Sequence, residues 1–101
     1  MDMLEVIFAS QKKFQDKYNY HRPTHELCSA MASECMELWG ISGGKWWKKT
    51  ESSMREQKEE LADILHFFVA TCINMNITPK ELYASYIRKL AINYQRQNSN
   101  Y

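Results

Sequence analysis

Apolar residues along this chain recur at helical spacing and never alternate at the two-residue period of a strand, so the pattern predicts an all-α protein. Leu4, Ile7, Phe8, Phe14 and Tyr18 mark the inward side of a first helix from about Asp2 to Tyr18, which His21-Arg22-Pro23 breaks. Thr24 reads as the N-cap of a second helix ending near Trp39 or Gly40, with Leu27, Ala30, Met31, Leu38 and Ile41 as its stripe. Ile41-Ser42-Gly43-Gly44 is a loop, and Lys45 to Lys49 a short turn. Ser52 or Ser53 starts a long third helix. There Leu61, Ile64, Leu65, Phe68, Cys72 and Met75 occupy one side and Ala62, Val69 and Ile73 another, so burial is expected over most of its circumference. Thr78-Pro79-Lys80-Glu81 combines an N-cap, a proline at the first helical position and a capping-box glutamate. The fourth helix then runs to about Gln97, with Tyr83, Ile87, Leu90 and Tyr94 as its seam. Four helices with short connections form a bundle.

The polar residues that interrupt these stripes carry the chemistry. Glu34 falls in the middle of the second helix's apolar stripe, where a lone carboxylate is costly to bury, and Glu37 lies at the stripe's edge. On the third helix Glu56, Glu60 and Asp63 share the strip left between the apolar sides. Residues three apart lie on nearly one face, so Glu34/Glu37 and Glu60/Asp63 each present two carboxylates side by side. Facing one another across antiparallel helices, the four make an all-oxygen site suited to Mg²⁺ or Mn²⁺. The bland reading, a solvated acidic face with ion pairs, competes on roughly even terms at this point.

One domain covering 1–101 is expected, with a core only marginally large at this length, so a homodimer or homotetramer is expected as well. Lys and Arg number 13 against 12 Asp and Glu, a balance that favours neither a nucleic-acid binder nor an acidic tail. Distribution matters more. Acids concentrate between Glu34 and Asp63, Lys45, Lys48 and Lys49 form a basic cluster, and Arg88, Lys89 and Arg96 follow Glu81 with no acid among them. An acidic centre with basic flanks suits a metal-bound polyphosphate. The Lys45-Trp46-Trp47-Lys48-Lys49 run invites a nucleic-acid reading, but five residues in a balanced chain are weak support. Cys28, Cys35 and Cys72 lack zinc-ligand spacing and read as small core residues in a reducing compartment. With no signal-peptide pattern and no apolar run of spanning length, a cytoplasmic protein without membrane partners is expected. Asp63-x-x-His66 has the form of a di-iron ligand pair but occurs once, where such bundles need it twice. On the fourth helix Tyr86, Lys89, Asn93 and Arg96 form a stripe flanking the apolar seam.

Glu34-x-x-Glu37 followed after a spacer by Glu60-x-x-Asp63 resembles the signature of the all-α nucleoside triphosphate pyrophosphohydrolases, which include MazG and the dimeric dUTPases. Lys45-Trp46-Trp47-Lys48 is similar to the Lys-x-Trp-Lys loop of the dUTPase branch, and the run from Glu59 to Phe67 to its metal helix. Tyr86-x-x-Lys89, Asn93, Arg96-Gln97 and Asn100-Tyr101 resemble its last motif, and Gln11-x-x-Phe14 echoes a motif associated with base recognition. Gly44, Leu90 and Asn100 depart from the pattern, standing where the branch has an aromatic, an Asn and a Gly. The resemblance implies a four-helix bundle of the MazG/dimeric dUTPase type. It also implies Mg²⁺-dependent conversion of a nucleoside triphosphate, dUTP first, to its monophosphate and pyrophosphate. Metal ligands would be Glu34, Glu37, Glu60 and Asp63, with Glu34 also the group that orients water. Lys48, Lys89 and Arg96 would bind phosphates, Asn93 and Tyr101 the sugar or phosphate rim, and Gln11, Phe14 and Trp47 the base. Two alternatives remain, a MazG-like house-cleaning enzyme of broad or dCTP preference and a helical interaction module with an acidic groove.

Overall fold

The computed structural model describes residues 1–49 and 52–99. Four α-helices, α1 (Met3–Lys17), α2 (Thr24–Trp39), α3 (Met54–Asn74) and α4 (Pro79–Asn98), account for most of the chain, and no strand occurs among the described residues. The fold class is therefore all-α, as the periodicity predicts.

Most helix starts are written in the local sequence. Asp2 caps α1 by accepting from Glu5 N (2.8 Å), and the Glu5 side chain returns the bond to the Asp2 amide. Ser53 caps α3, accepting from Glu56 N (3.1 Å). Thr78 and Glu81 form the expected capping box on α4, with Pro79 as its first residue. α2 differs. Pro23 occupies its cap position without a side-chain bond, and Thr24 is already helical because its hydroxyl instead accepts from Asn74 Nδ2 (2.6 Å) at the end of α3. A contact between residues 50 apart has replaced a local cap.

α2 and α3 form the most closely packed helix pair, and α1 lies against α3. Phe8, Val69 and Cys72 are the buried centre, with Leu4, Ile7, Ile73, Ile77 and Leu82 packed around them, while Leu27 is the buried anchor of α2. Tyr83, Ile87, Leu90 and Tyr94 are all exposed, because α4 turns 109° away from α3 and meets the remainder mainly through α1 near its own start. The expected burial of α3 over most of its circumference is not met within one chain. Val69, Ala70 and Cys72 are buried, but Leu61 (54% exposed), Leu65, Phe68 (39%) and Met75 look outward, since no described helix covers that side. Cys28 and Cys35 are likewise exposed on α2, and only Cys72 is a core cysteine. No single helix among the described residues is long and apolar enough to cross a membrane.

Candidate active site

The α2–α3 pairing brings the two acidic motifs together. Glu34 and Glu37 stand one turn apart on α2, and Glu60 comes from α3. Each offers an oxygen to a cluster within 4.8 Å. Glu34 and Glu60 are half-buried and Glu37 is exposed. With both carboxylates ionised, Oε2 of Glu34 and of Glu60 is buried and has no donor. A carboxylate oxygen removed from water and left without a donor is costly, so this pair needs either a proton or a cation. The Glu60 carboxyl shows the first solution: a hydrogen bond with Glu34, then desolvation, then the charge of Glu37 push its pKa from 4.5 to about 7. A divalent cation is the second, and the converging oxygens fit a hard ion with carboxylate ligands. Asp63, the fourth predicted ligand, is exposed one turn along α3 and stands outside the three-oxygen cluster.

Two cavities meet at these carboxylates. One, of about 710 Å³, lies between α1 and α3 and is lined by Gln11, Phe14, Glu34, Asp63 and His66 among others. Its far wall is aromatic: the His66 ring stands edge-on to Phe14 (centroids 5.7 Å apart) and to Phe67 (4.9 Å), with Tyr20 at 6.2 Å. Gln11 is held by its neighbour one turn on, donating from Nε2 to Oε1 of the buried Gln15 (3.0 Å). The second cavity, of about 760 Å³, has Glu37 and Glu60 on one side and Lys45, Lys48 and Lys49 on the other. An apolar chamber with one amide, a carboxylate cluster and a lysine-lined chamber thus follow one another. A molecule with a flat ring at one end and anionic groups at the other would match that order.

The lysine wall owes its position to the segment after α2. Gly40–Gly44 winds as a π-helical turn closed by Gly43 at φ 98°, a left-handed conformation that favours glycine. The Trp39 indole lies where a Cβ on Gly44 would stand, so the aromatic that the resemblance expects at 44 has no room, and Trp39 fills the space from the neighbouring turn. Ser52 donates to the Ile41 carbonyl and accepts from Gln57 Nε2 (3.2 Å), tying the loop to the start of α3.

Of the predicted site residues, Glu34, Glu37, Glu60, Lys48, Gln11 and Phe14 are brought together, and Asp63 shares the first cavity with Glu34. Trp47 packs on Trp39 (centroids 6.4 Å apart) on the lysine side rather than joining Gln11 and Phe14. Lys89, Asn93 and Arg96 ride on α4 and line neither of the two cavities. Tyr101, with Asn100, lies outside the described residues. Sequence reasoning missed Gln15 and Tyr20 as supports of the first cavity. The Gln11/Gln15 pair at one-turn spacing was the available signal, whereas Tyr20 reaches His66 only through the reversal after α1, where Asn19 takes φ 51°.

A family model described as dUTPase matches residues 3–81, a span that contains all of α1, α2 and α3 and only the first turn of α4. No curated protein and no solved structure matches the chain.

Proposed function

The chain belongs to the all-α dUTPase family of nucleotide hydrolases, and from that premise we propose that it converts dUTP to dUMP and pyrophosphate with Mg²⁺ as cofactor. The observation that carries the reading is the placing of Glu34, Glu37 and Glu60 between the aromatic chamber and the lysine-lined one. Glu34, Glu37 and Glu60 would hold the cation, with Asp63 able to join from the next turn of α3. When bound, Mg²⁺ would neutralise phosphate oxygens and make a nearby water more acidic. Lys48, beside Lys45 and Lys49, binds the polyphosphate and offsets charge as it develops on the leaving group. Phe14 and His66 give the base an apolar wall, and the Gln11 amide, held by Gln15, reads its polar edge. Glu34 reaches the first cavity while its Oε2 lacks a donor, which suits it to orient a water and accept its proton.

A second reading, a house-cleaning pyrophosphohydrolase of broad or dCTP preference, is favoured by the base chamber itself. Trp47 is turned to the lysine side, leaving Gln11 as the amide facing the base, and an amide presents both a donor and an acceptor. Pyrophosphate release from competing deoxynucleotides, with Mg²⁺ and with excess chelator, separates the two. Chelator-sensitive turnover of dUTP above the others supports the dUTPase reading, and comparable turnover of several supports the second. Folded Glu60→Gln protein should lose at least a hundredfold in rate. Near-normal turnover of that variant sinks the assigned site, and a wild-type protein inert toward every nucleotide returns the chain to the interaction-module reading.

A further inference from the structure

Trp46 and Trp47, beside the lysine-lined chamber, take no part in the reaction proposed above. Trp46 is 85% exposed and Trp47 62%, in a run that also carries Lys45, Lys48 and Lys49. The run has a defined shape. Lys48 N donates to the Lys45 carbonyl (3.0 Å), closing a tight turn whose two central residues are the tryptophans. Such a turn brings its first and fourth residues close, so Lys45 and Lys48 stand together at its base, and both line the second cavity. The indoles are left at its tip. Trp47 is braced against Trp39, which lines that same cavity, and Trp46 stands at 90° to Trp47 with centroids 5.6 Å apart. The outermost indole is thus held by its neighbour yet stays mostly in water. An ordered indole beside ammonium groups has the chemistry of a stacking platform for a flat ring attached to phosphate.

From one end to the other the site now runs aromatic chamber, carboxylates, lysines, indoles. A nucleoside triphosphate matches the first three and ends at the lysines. A polyphosphate with a second nucleoside at its far end matches all four. Charge selects that occupant. The lysines call for anionic groups between the rings, and Glu37 and Glu60 in the same cavity, with a net charge of only +1 on the chain, oppose the long run of phosphates of a nucleic acid.

We propose that the chain also hydrolyses dinucleoside polyphosphates, holding the second base on Trp46. The hydrolytic step rests on the function proposed above, whereas the platform rests on the turn and its exposed indoles. In the step, the oxygen of a water bonds to the phosphorus of the nucleotide whose base lies in the aromatic chamber, and a proton of that water passes to Glu34. The bond from this phosphorus to the bridging oxygen breaks, its electron pair leaving with the second nucleotide. A dinucleoside tetraphosphate and one water give a nucleoside monophosphate and a nucleoside triphosphate.

The probe is a tetraphosphate joining deoxyuridine to adenosine through their 5′ oxygens, compared with dUTP in Mg²⁺. Wild type should release dUMP and ATP from it in equal amounts, with a KM about tenfold or more below that for dUTP, the order of gain from stacking one base on an aromatic side chain. Trp46→Ala, at an exposed position, should keep its helical circular dichroism and bring the two KM values together by raising that of the mixed tetraphosphate alone. Trp46→Phe should restore most of the difference. A protein that turns over dUTP but releases no ATP from the probe overturns the proposal, as does a wild-type KM for the probe equal to or above that for dUTP. A Trp46→Ala protein that keeps the difference overturns it too. So does an oligothymidylate of about ten nucleotides that binds through Trp46 more tightly than the probe, which assigns the platform to single-stranded DNA. If wild type hydrolyses neither nucleotide, the function proposed above fails, and calorimetric binding of the same two nucleotides in Mg²⁺ decides the platform. A tenfold preference for the probe that Trp46→Ala abolishes supports it, and equal binding overturns it.

Discussion

Glu60 is the residue at which folding and function oppose each other. Its pKa is pushed from 4.5 to about 7 in the folded protein, chiefly by the hydrogen bond with Glu34, so the folded chain binds this proton more tightly than the unfolded chain does. The metal-free protein should therefore have its full contribution from this proton below the unfolded value and lose it as the pH rises through about 7. Thermal scans in chelator should show a melting temperature that falls between about pH 5 and pH 7.5, and Glu60→Gln should flatten that dependence. Because a cation and the proton compete for the same oxygens, added Mg²⁺ should raise the melting temperature more at pH 7.5 than near pH 5.5. A pH profile identical in wild type and Glu60→Gln would remove the carboxylate pair as its source. Gly44 makes a second residue-scale case. A methyl group there meets the Trp39 indole, so Gly44→Ala should cost about 1–3 kcal/mol in urea unfolding. It should also weaken phosphate binding, because the lysine-bearing segment begins at the next residue. The Glu34–Glu37 pairing was legible in the sequence because helical geometry alone sets which residues share a face. The standing-off of Asp63 was not, because it depends on how α2 crosses α3, and spacing within one helix says nothing of that.

At the scale of elements, the starts of α1, α3 and α4 are local events and the start of α2 is not. Asp2/Glu5, Ser53/Glu56 and Thr78/Glu81 lie within three residues of each other, and the caps of α3 and α4 stand where the sequence places them. Thr24 has the right chemistry for a cap, yet its hydroxyl is taken by Asn74 across 50 residues of chain, a competition that no local pattern encodes. The caps differ in what depends on them. α4 packs on the core near its start, through Leu82 next to its capping box, so Thr78→Ala should remove about 1 kcal/mol and act locally. Hydrogen exchange should quicken in the first turns of α4 and stay unchanged in α3 around Val69. Leu27→Ala, by contrast, opens a cavity at the one fully buried side chain of α2 and should cost about 2–5 kcal/mol globally, lowering the urea midpoint of the whole transition. The α3 stripe teaches the complementary lesson. Periodicity correctly marks Leu61, Leu65 and Phe68 as positions to be covered, and it is silent on whether the cover comes from the same chain.

For the whole molecule, the decisive quantity is how little of the chain is buried in one copy. Among the described residues only Phe8, Leu27, Val69, Ala70 and Cys72 form the buried apolar set, a small core for a chain of 101 residues, while nineteen large apolar side chains are exposed. Lost backbone entropy of about 1–2 kcal/mol per residue is offset by few buried groups in one copy, and the association expected from the sequence would supply further burial. Stability then becomes a function of protein concentration, because dissociation and unfolding are one equilibrium. For a dimer that unfolds to two chains, a hundredfold rise in concentration adds about 1.4 kcal/mol per chain, and a domain of this length converts that to a melting temperature higher by roughly 5–10 °C. Scans at about 1 µM and 100 µM should show that increment for the wild type. Ile87→Glu and Phe68→Glu should melt lower and at the same temperature at both concentrations, since each places a charge on a stripe that only association covers. A wild-type melting temperature independent of concentration would mean that one copy is stable with its stripes in water, and the openness of the chain would then need a different physical cause.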